Sequence, residues 1–570
     1  MIELPHDIER PGLNPGIDPG TDPGTDPEPE NPNSVFQPHP SDLSDNLQLY
    51  QQDGYADQNT IRVDLRTATS GIGPCVIDDM TGCTLADVIA DINPNDDFKV
   101  DIPVHFSSFD YPNDGLISNA ELRQRGGGTR NAPQKSFRLK LDDSDRLWRT
   151  ERHLQLNKHP FESKRIRNKL SFDLMSEIPH LLSFRTQFVN LWIDNGQGPE
   201  DFGLFTHVER ADKRYLERRS FNPDGNLYKA KLFRFRENEL NSLLIDSEGD
   251  PVNTSIFETV LEIESGNDHR KLIEMMEALH DPTRSFQSVL DQYFNENNVL
   301  TWITVNLLLG QYDAVRHNYF LYNPLGSDKF YFLPWDYDTS FIRHIEPEDD
   351  LGNSALRTRL EYGYANGSRN YFLSSYYKLP GVHEKIIDAA DEIRQNYLTD
   401  LAITERADHY GSAVATYATS EPDSLYNSFF SEAPGVQFAA TVADNHLAIS
   451  NRFSYPLPPV LDDPALVNGQ WQFSWQSAYD VTGNSISYDL DIATSVNFEP
   501  DSIVVSITDI SDTGNSMSQS IADNQLSTGT HYARLIARAS NEPMRFWQVA
   551  DNQLESDGTV YYGVVEFLSP

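Results

Sequence analysis

Apolar and polar residues alternate from about Ile61 to Leu141, most plainly in DFKVDIPVHFSSF, ISNAELRQR and KSFRLKL. A period of two puts successive side chains on opposite faces, so these segments are predicted strands. The period then lengthens. In SKRIRNKLSFDLMSEI, Ile166, Leu170, Leu174 and Ile178 fall on one face, which predicts a helix with Ser163 as its N-cap. Strand alternation returns in FRTQFVNLWID and FGLFTHVE. SIFETVLEIES, HRKLIEMMEALHD and the long SFQSVLDQYFNENNVLTWITVNLLLG read as a helical block. HNYFLYNPLGSDKFYFLPWDYD reads as a hairpin turning on Asn-Pro-Leu-Gly, and more helices run from about Ser374 to Phe453.

After YPLPP (Tyr455 to Pro459) the helical period stops. WQFSW, SISYDLDIA, SIVVSITDI, THYARLIARAS, FWQVA and YYGVVEF alternate like sandwich strands between turn residues. The Trp475 strand followed by the Tyr532 strand has the look of a fibronectin-III core. At the other end, Pro-Gly-x-Asn/Asp recurs at Pro11, Pro15, Pro19 and Pro23. Such density of proline predicts an extended, solvated spacer, of the kind that tethers a domain.

A length of 570 residues fits three or four domains. Lys and Arg number 45 against 86 Asp and Glu, a net charge of −41, which disfavours a nucleic acid polymer or an anionic membrane surface as partner. The best apolar run, Val299 to Leu309, is broken by Thr and Asn and reads as a buried helix, so no transmembrane segment is predicted. MIELPHDIERPG lacks a basic stretch followed by an apolar core, so no signal peptide is visible. Cys75 and Cys83 lie close enough to predict a small-loop disulfide, which favours a secreted or surface location over a cytoplasmic one.

Candidate chemistry concentrates between Gln311 and Phe341. Asp313 precedes Asn318 by five residues, and PWDYD supplies Asp336 and Asp338. Phosphoryl transfer needs such a set: one carboxylate to orient or deprotonate a hydroxyl, and an amide oxygen with further carboxylates to hold divalent metal. Two solvated turns with capping residues are the plainer alternative. His317 reads as a structural histidine. Asp110 to Glu121 follows an EF-hand pattern except at Pro112, but its flanks are strand-like.

Residues from about 115 to 345 resemble the spore-coat protein H (CotH) family of atypical secretory-type protein kinases. The resemblance lies in AELRQRGGGTRNAPQKSFRLKL, KRIRNKLSFDLM, FVNLWID with FGLFTHVER, NLYKA, YDAVRHNYFLYN and FYFLPWDYDTSF, in that order. It implies an α+β, divergent two-lobed protein-kinase-like fold over residues 51–454, β-rich to about 145. It follows a Pro/Gly/Asp-rich linker at 1–50 and precedes a fibronectin-III/immunoglobulin-like β-sandwich at 460–570. It further implies ATP with Mg²⁺ or Mn²⁺, and transfer of the γ-phosphate to Ser or Thr of an exported protein. By position, Asp313 resembles the catalytic-loop base, and Asn318 and Asp336 the metal ligands. Asp338 either assists that metal or caps the turn.

The chain has no His-Arg before Asp313, no glycine after the Asp336 pair and no G-x-G-x-x-G, so nucleotide contacts are sought elsewhere. Arg125 to Arg130 is a glycine turn with a guanidinium at each end, suited to cradling phosphate. Lys140, then Arg138, are the candidates for a phosphate-pairing strand residue. Glu209 is a candidate partner for that lysine. Lys164, Arg165, Arg167 and Lys169 extend the local pool of positive charge. Two rival readings remain: a catalytically weak surface-binding protein on the same fold, and an AMP transferase. The sandwich is read as a protein- or carbohydrate-binding module or a spacer.

Overall fold

The computed structural model describes residues 34–51, 59–67, 83–92, 100–343, 351–362, 364–426, 430–514 and 516–570. The proposed tether, Met1 to Asn33, and Cys75 lie outside them. Cys83 is disulfide-bonded.

Seven strands close a barrel: β1 (Ile61–Thr67), β2 (Ile102–Ser108), β3 (Ala120–Arg125), β4 (Ser136–Leu141), β5 (His153–Asn157), β6 (Thr186–Asp194) and β7 (Pro199–Val208). Their order is β1-β2-β3-β4-β5-β7-β6, and β1 closes the ring by running parallel to β6. Alternation decides which side chains fill it. Leu122, Phe137, Leu139, Leu154 and Leu156 point inward to one buried core. Arg123, Arg125, Arg138 and Lys140 therefore point outward on β3 and β4. The β-rich part thus runs well past residue 145, to Val208, and admits the helix Arg167–Met175 between β5 and β6.

That helix starts later than Ser163. Its N-cap is Ile166, and Arg165 before it sits at φ 60°. The reason is tertiary. The Arg165 guanidinium turns inward, donating to His159 O at 2.8 Å and to Gln134 Oε1 at 2.7 Å, which a continuous helix would forbid.

A second sheet, ordered β11-β10-β8-β9, holds β8 (Asn226–Ala230), β9 (Leu261–Ser265), β10 (Tyr319–Asn323) and β11 (Tyr331–Pro334). SIFETVLEIES is therefore not one helix. Thr254–Phe257 makes a single turn and Leu261–Ser265 pairs with β8, setting Lys229 opposite Glu262. A paired neighbour outweighs local helical preference. The long helical stretch also divides, because Asn295 caps a new helix by accepting from Asn298 N. The result is Phe286–Tyr293 and Glu296–Leu309. The second of these is apolar almost all round and buried, with Trp302 stacked 4.4 Å from Phe332. It ends at Gly310, φ 64°, where a Cβ would lie 2.0 Å from Ile342 O.

Residues 34–50, expected to belong to the linker, pack on this body. Ser34 Oγ donates to Glu392 Oε1 at 2.7 Å, Phe36 is buried, and Asp45 pairs with Arg219 at 3.0 Å.

The C-terminal strands are β12 (Ala465–Val467), β13 (Gln470–Gln476), β14 (Ile486–Ala493), β15 (Ile503–Ser511), β16 (Ser516–Ala522), β17 (Gly529–Ala539), β18 (Trp547–Val549), β19 (Gln553–Ser556), β20 (Thr559–Tyr562) and β21 (Val564–Ser569). One sheet is β12-β13-β16; another is β15-β14-β17-β18 with β21 on β17. Both line one core, where Trp475 meets Tyr488 edge-on at 5.4 Å. Tyr532 lies outside that core, against a smaller cluster with Phe498 and Val564. These sheets dock on the helix Asn353–Tyr362, where Arg359 lies 3.7 Å over the Trp547 ring.

Candidate functional site

The buried helix Glu296–Leu309 delivers Asp313 to a short turn, Tyr312–Val315. Asn318, just before β10, returns to it: Asn318 Nδ2 donates to Asp313 Oδ2 at 2.9 Å. His317 Nε2 lies 2.8 Å from Asp313 Oδ1, so both carboxylate oxygens are held. The adjoining β11 brings the second acidic pair alongside. Trp335 N donates to Asn318 O at 3.1 Å, and the next residue, Asp336, takes a left-handed backbone, φ 55° and ψ 66°. Gln311 locks the two loops together. Its Nε2 donates to Asp336 O at 2.8 Å and its Oε1 accepts from Thr339 Oγ1 at 2.6 Å. Asn318 is left-handed too, at φ 62°. Such residues cost about 1 kcal/mol or more each and persist where surroundings fix them, commonly at functional sites.

Asp336, Asp338 and His159 each offer a ligand atom within 4.8 Å of the others, a geometry able to hold a metal ion. Burial, then the charge of Asp338, pushes the Asp336 carboxyl up to about 6, against the pull of His159 and Arg125. A cation between the carboxylates would relieve that repulsion, and their oxygens suit Mg²⁺ or Mn²⁺.

The histidine has a different part. Asn168, on the helix Arg167–Met175, accepts Tyr337 N–H through Oδ1 at 3.1 Å. That fixes its amide, so Nδ2 faces His159 Nε2 at 3.2 Å as a donor. Nε2 is then the bare nitrogen, and Nδ1–H points to Asp338 Oδ2, 3.2 Å away. A histidine that binds metal through one nitrogen normally donates from the other to an acceptor. Here the other nitrogen meets a donor, so His159 serves to aim Asp338.

Arg125, at the end of β3, lies in the field of Asp336, Glu262 and Glu264, and burial lowers its pKa. Arg138 is pushed down to about 10 by burial, then by Arg123 and Arg210. Arg210 pairs with Glu264 at 2.9 Å. The outer face of β3 and β4 thus presents guanidinium groups towards β9 and Asp336.

Other expected contacts are placed elsewhere. Lys140 pairs with Glu121 at 3.0 Å, whereas Arg125 sits opposite Ser136 at the other end of β4, roughly 13 Å away at strand rise. Glu209 is fully buried. Burial pushes its carboxyl up, but Arg219, Arg218 and Arg185 outweigh that and hold it below the ordinary range. A carboxylate so occupied stabilises the interior. Arg165 and Lys169 face inward as well, Lys169 bonding Thr186 O at 3.0 Å. In the EF-hand-like loop the carboxylates are consumed: Asp114 pairs with His105 at 3.0 Å, and Asp110 accepts from Trp148 at 2.8 Å.

Sequence reasoning missed His159, Asn168, Gln311 and Arg210. Asn168 fell within a resembling stretch, KRIRNKLSFDLM, without a role. His159 left no signal, because a left-handed turn at φ 49° carries it to Asp338 across a long sequence gap.

Two paired loops with an acidic, metal-competent rim on a mixed α+β body define the class. The CotH kinase protein family model matches residues 122–447, more than half of the chain and every residue of the two loops, and the protein belongs to that family. It is similar to the Inner spore coat protein H of Bacillus subtilis (strain 168), at 28% identity over 232 residues. That match spans 40% of this chain and 60% of the relative.

Proposed function

We propose that the protein is a metal-dependent protein kinase that transfers the γ-phosphate of ATP to Ser or Thr of an exported or surface protein. The observation that carries this reading is the bond between Asn318 and Asp313, made beside the raised carboxyl of Asp336. Asp336, Asp338 and Asn318 would hold Mg²⁺ or Mn²⁺, which supplies charge neutralisation to the polyphosphate. Asp313 takes the proton of the acceptor hydroxyl as its oxygen bonds to the γ-phosphorus and the bond to the β-phosphate oxygen breaks. Arg125 and Arg138 meet phosphate oxygens. Gln311 and Asn318 keep the two loops in register. The disulfide at Cys83 supports an oxidising compartment, and among the described residues no helix is long and apolar enough to cross a membrane. The C-terminal sheets, with their shared core, are read as a fibronectin-III-like sandwich that acts as a spacer or binding module.

A second reading, coat building without catalysis, is favoured by the name of the relative. Purified protein with Mn²⁺ and ATP labelled separately at the α and γ positions decides. Label from γ on protein supports the kinase, label from α an AMP transferase, and no label the structural role.

A further inference from the structure

Four arginines crowd one flank of the Asp313 loop. Arg234 and Arg236 lie just after β8, Arg316 closes the Tyr312–Val315 turn, and Arg369 ends the turn Tyr364–Arg369. Backbone bonds lace them together. Phe233 N donates to Arg316 O at 3.0 Å, Tyr371 N to Arg234 O at 2.8 Å, and Arg236 Nη2 to Arg369 O at 3.2 Å. Asn370 Nδ2 ties the group to the loop by donating to Val315 O at 2.8 Å.

Few carboxylates answer them. Glu239 spends its oxygens on the backbone N–H groups of Arg234 and Arg236, at 2.9 and 3.0 Å. Asp551 pairs with Arg369 at 2.6 Å. Arg234, Arg236 and Arg316 make no ion pair among the described residues, and Arg236 and Arg316 are exposed. Burial first, then Arg236, Arg316 and Arg369, lower the pKa of Arg234, as expected of crowded like charge. The interior arginines differ, since Arg185, Arg218 and Arg219 close on Glu209 and Glu151. Asp551 and Glu239 also lie in the field of Arg234 and Arg236, so four guanidinium groups face two carboxylates, and this excess of positive charge on the flank of the Asp313 loop, in a chain of net charge −41, marks a place made for an anion.

We propose that this patch binds an acidic stretch of the acceptor polypeptide, selecting hydroxyl residues flanked by Asp and Glu. As a statement about acceptors it rests on the kinase reading; the binding itself does not. Arg316 follows Asp313 by three residues, so an acidic neighbour of the acceptor residue could reach it while the hydroxyl stays at Asp313. The overall negative charge repels acidic chains at long range. Recognition must therefore come from contact within about one Debye length and weaken as salt rises.

The test is fluorescence anisotropy of the full chain with labelled peptides that carry one serine flanked by Glu, by Gln or by Lys. The Glu peptide should bind about tenfold tighter than the Gln peptide at low salt. That preference should vanish in the Arg234→Gln, Arg316→Gln double variant, while Mn²⁺–ATP binding stays unchanged. Arg316→Glu should shift preference towards the Lys peptide. Equal binding of all three peptides by the wild type overturns the proposal. So does loss of Mn²⁺–ATP binding in the double variant, which would make the patch a nucleotide contact. If the Glu peptide binds as expected but takes no γ-label, the kinase reading fails and the patch stands. If label transfers without regard to flanking charge, the patch fails and the kinase reading stands.

Discussion

His159 aims Asp338, with Nδ1 lying 3.2 Å from Oδ2, and Asn168 on the opposite side of the ring dictates which nitrogen carries the proton. Asn168→Asp should reverse this. One oxygen would still accept Tyr337 N–H, while the other would accept from Nε2–H and leave Nδ1 bare for a metal. Electron spin-echo spectroscopy of bound Mn²⁺ should show no directly coordinated ¹⁴N in the wild type and a strong coupling in the variant. Strong nitrogen coupling in the wild type would make His159 a ligand and refute the tautomer.

The raised carboxyl of Asp336 gives a pH dependence of known sign. Its folded pKa of about 6 lies above the ordinary Asp value, so the fold favours the protonated form. The associated stability is full below about pH 4 and is lost as pH rises through 6. The apo protein with Asp336→Asn should therefore melt above wild type at pH 7.5, by up to about 1–2 kcal/mol given partial solvent screening, and match it near pH 4. Proton competition should weaken Mn²⁺ binding to the wild type by up to about tenfold per unit below pH 6. Calorimetry across pH 5 to 8 checks both. A flat Mn²⁺ affinity over that range would place the ion away from Asp336.

Asp313 and Asp336 should fail differently. Asp313→Asn keeps shape and loses basicity, so Mn²⁺–ATP should bind normally while γ-label transfer falls by 10²–10⁴-fold. Asp336→Ala should lose metal-dependent nucleotide binding and transfer together. Transfer by Asp313→Asn at the wild-type rate would remove Asp313 from the chemistry.

How much of this could be read from the chain alone depended on how local the determinant was. Alternation in KSFRLKL sets Phe137 and Leu139 on one face and Arg138 on the other, and the structure buries the first face in the barrel, because the strand period needs no partner. The Asp313–Asn318 spacing sits within one loop and was equally legible. Leu261–Ser265 was misread as helix because only its partner β8 makes it a strand. Glu209 stood in a resembling stretch, but nothing local shows that Arg185 before it and Arg218 and Arg219 after it fold back onto one buried carboxylate. Lys140 and Arg138 share a face of β4, and alternation says nothing of which end of the strand lies near Asp336.

A single change at Asp423 should be strongly destabilising. Its carboxylate is fully buried, 2.8 Å from Lys158 Nζ, and accepts from Gln134 Nε2 at 3.0 Å and Leu204 N at 2.6 Å. Arg165 stands 3.7 Å away. Burial lowers the Lys158 ammonium to about 8 even with this partner, so the ammonium depends on Asp423 for its charge. Asp423→Ala would strand two buried cations and cost about 3–5 kcal/mol, whereas changes to exposed acids should cost little. The damage should reach the metal site too. Arg165 holds the carbonyl of His159 at 2.8 Å, and His159 aims Asp338. Urea unfolding of Asp423→Ala, with Mn²⁺ affinity measured where it remains folded, should show lower stability and weaker metal binding together. Weaker stability with unchanged Mn²⁺ affinity would mean that His159 is held without Arg165, and that the ion cluster serves the barrel alone.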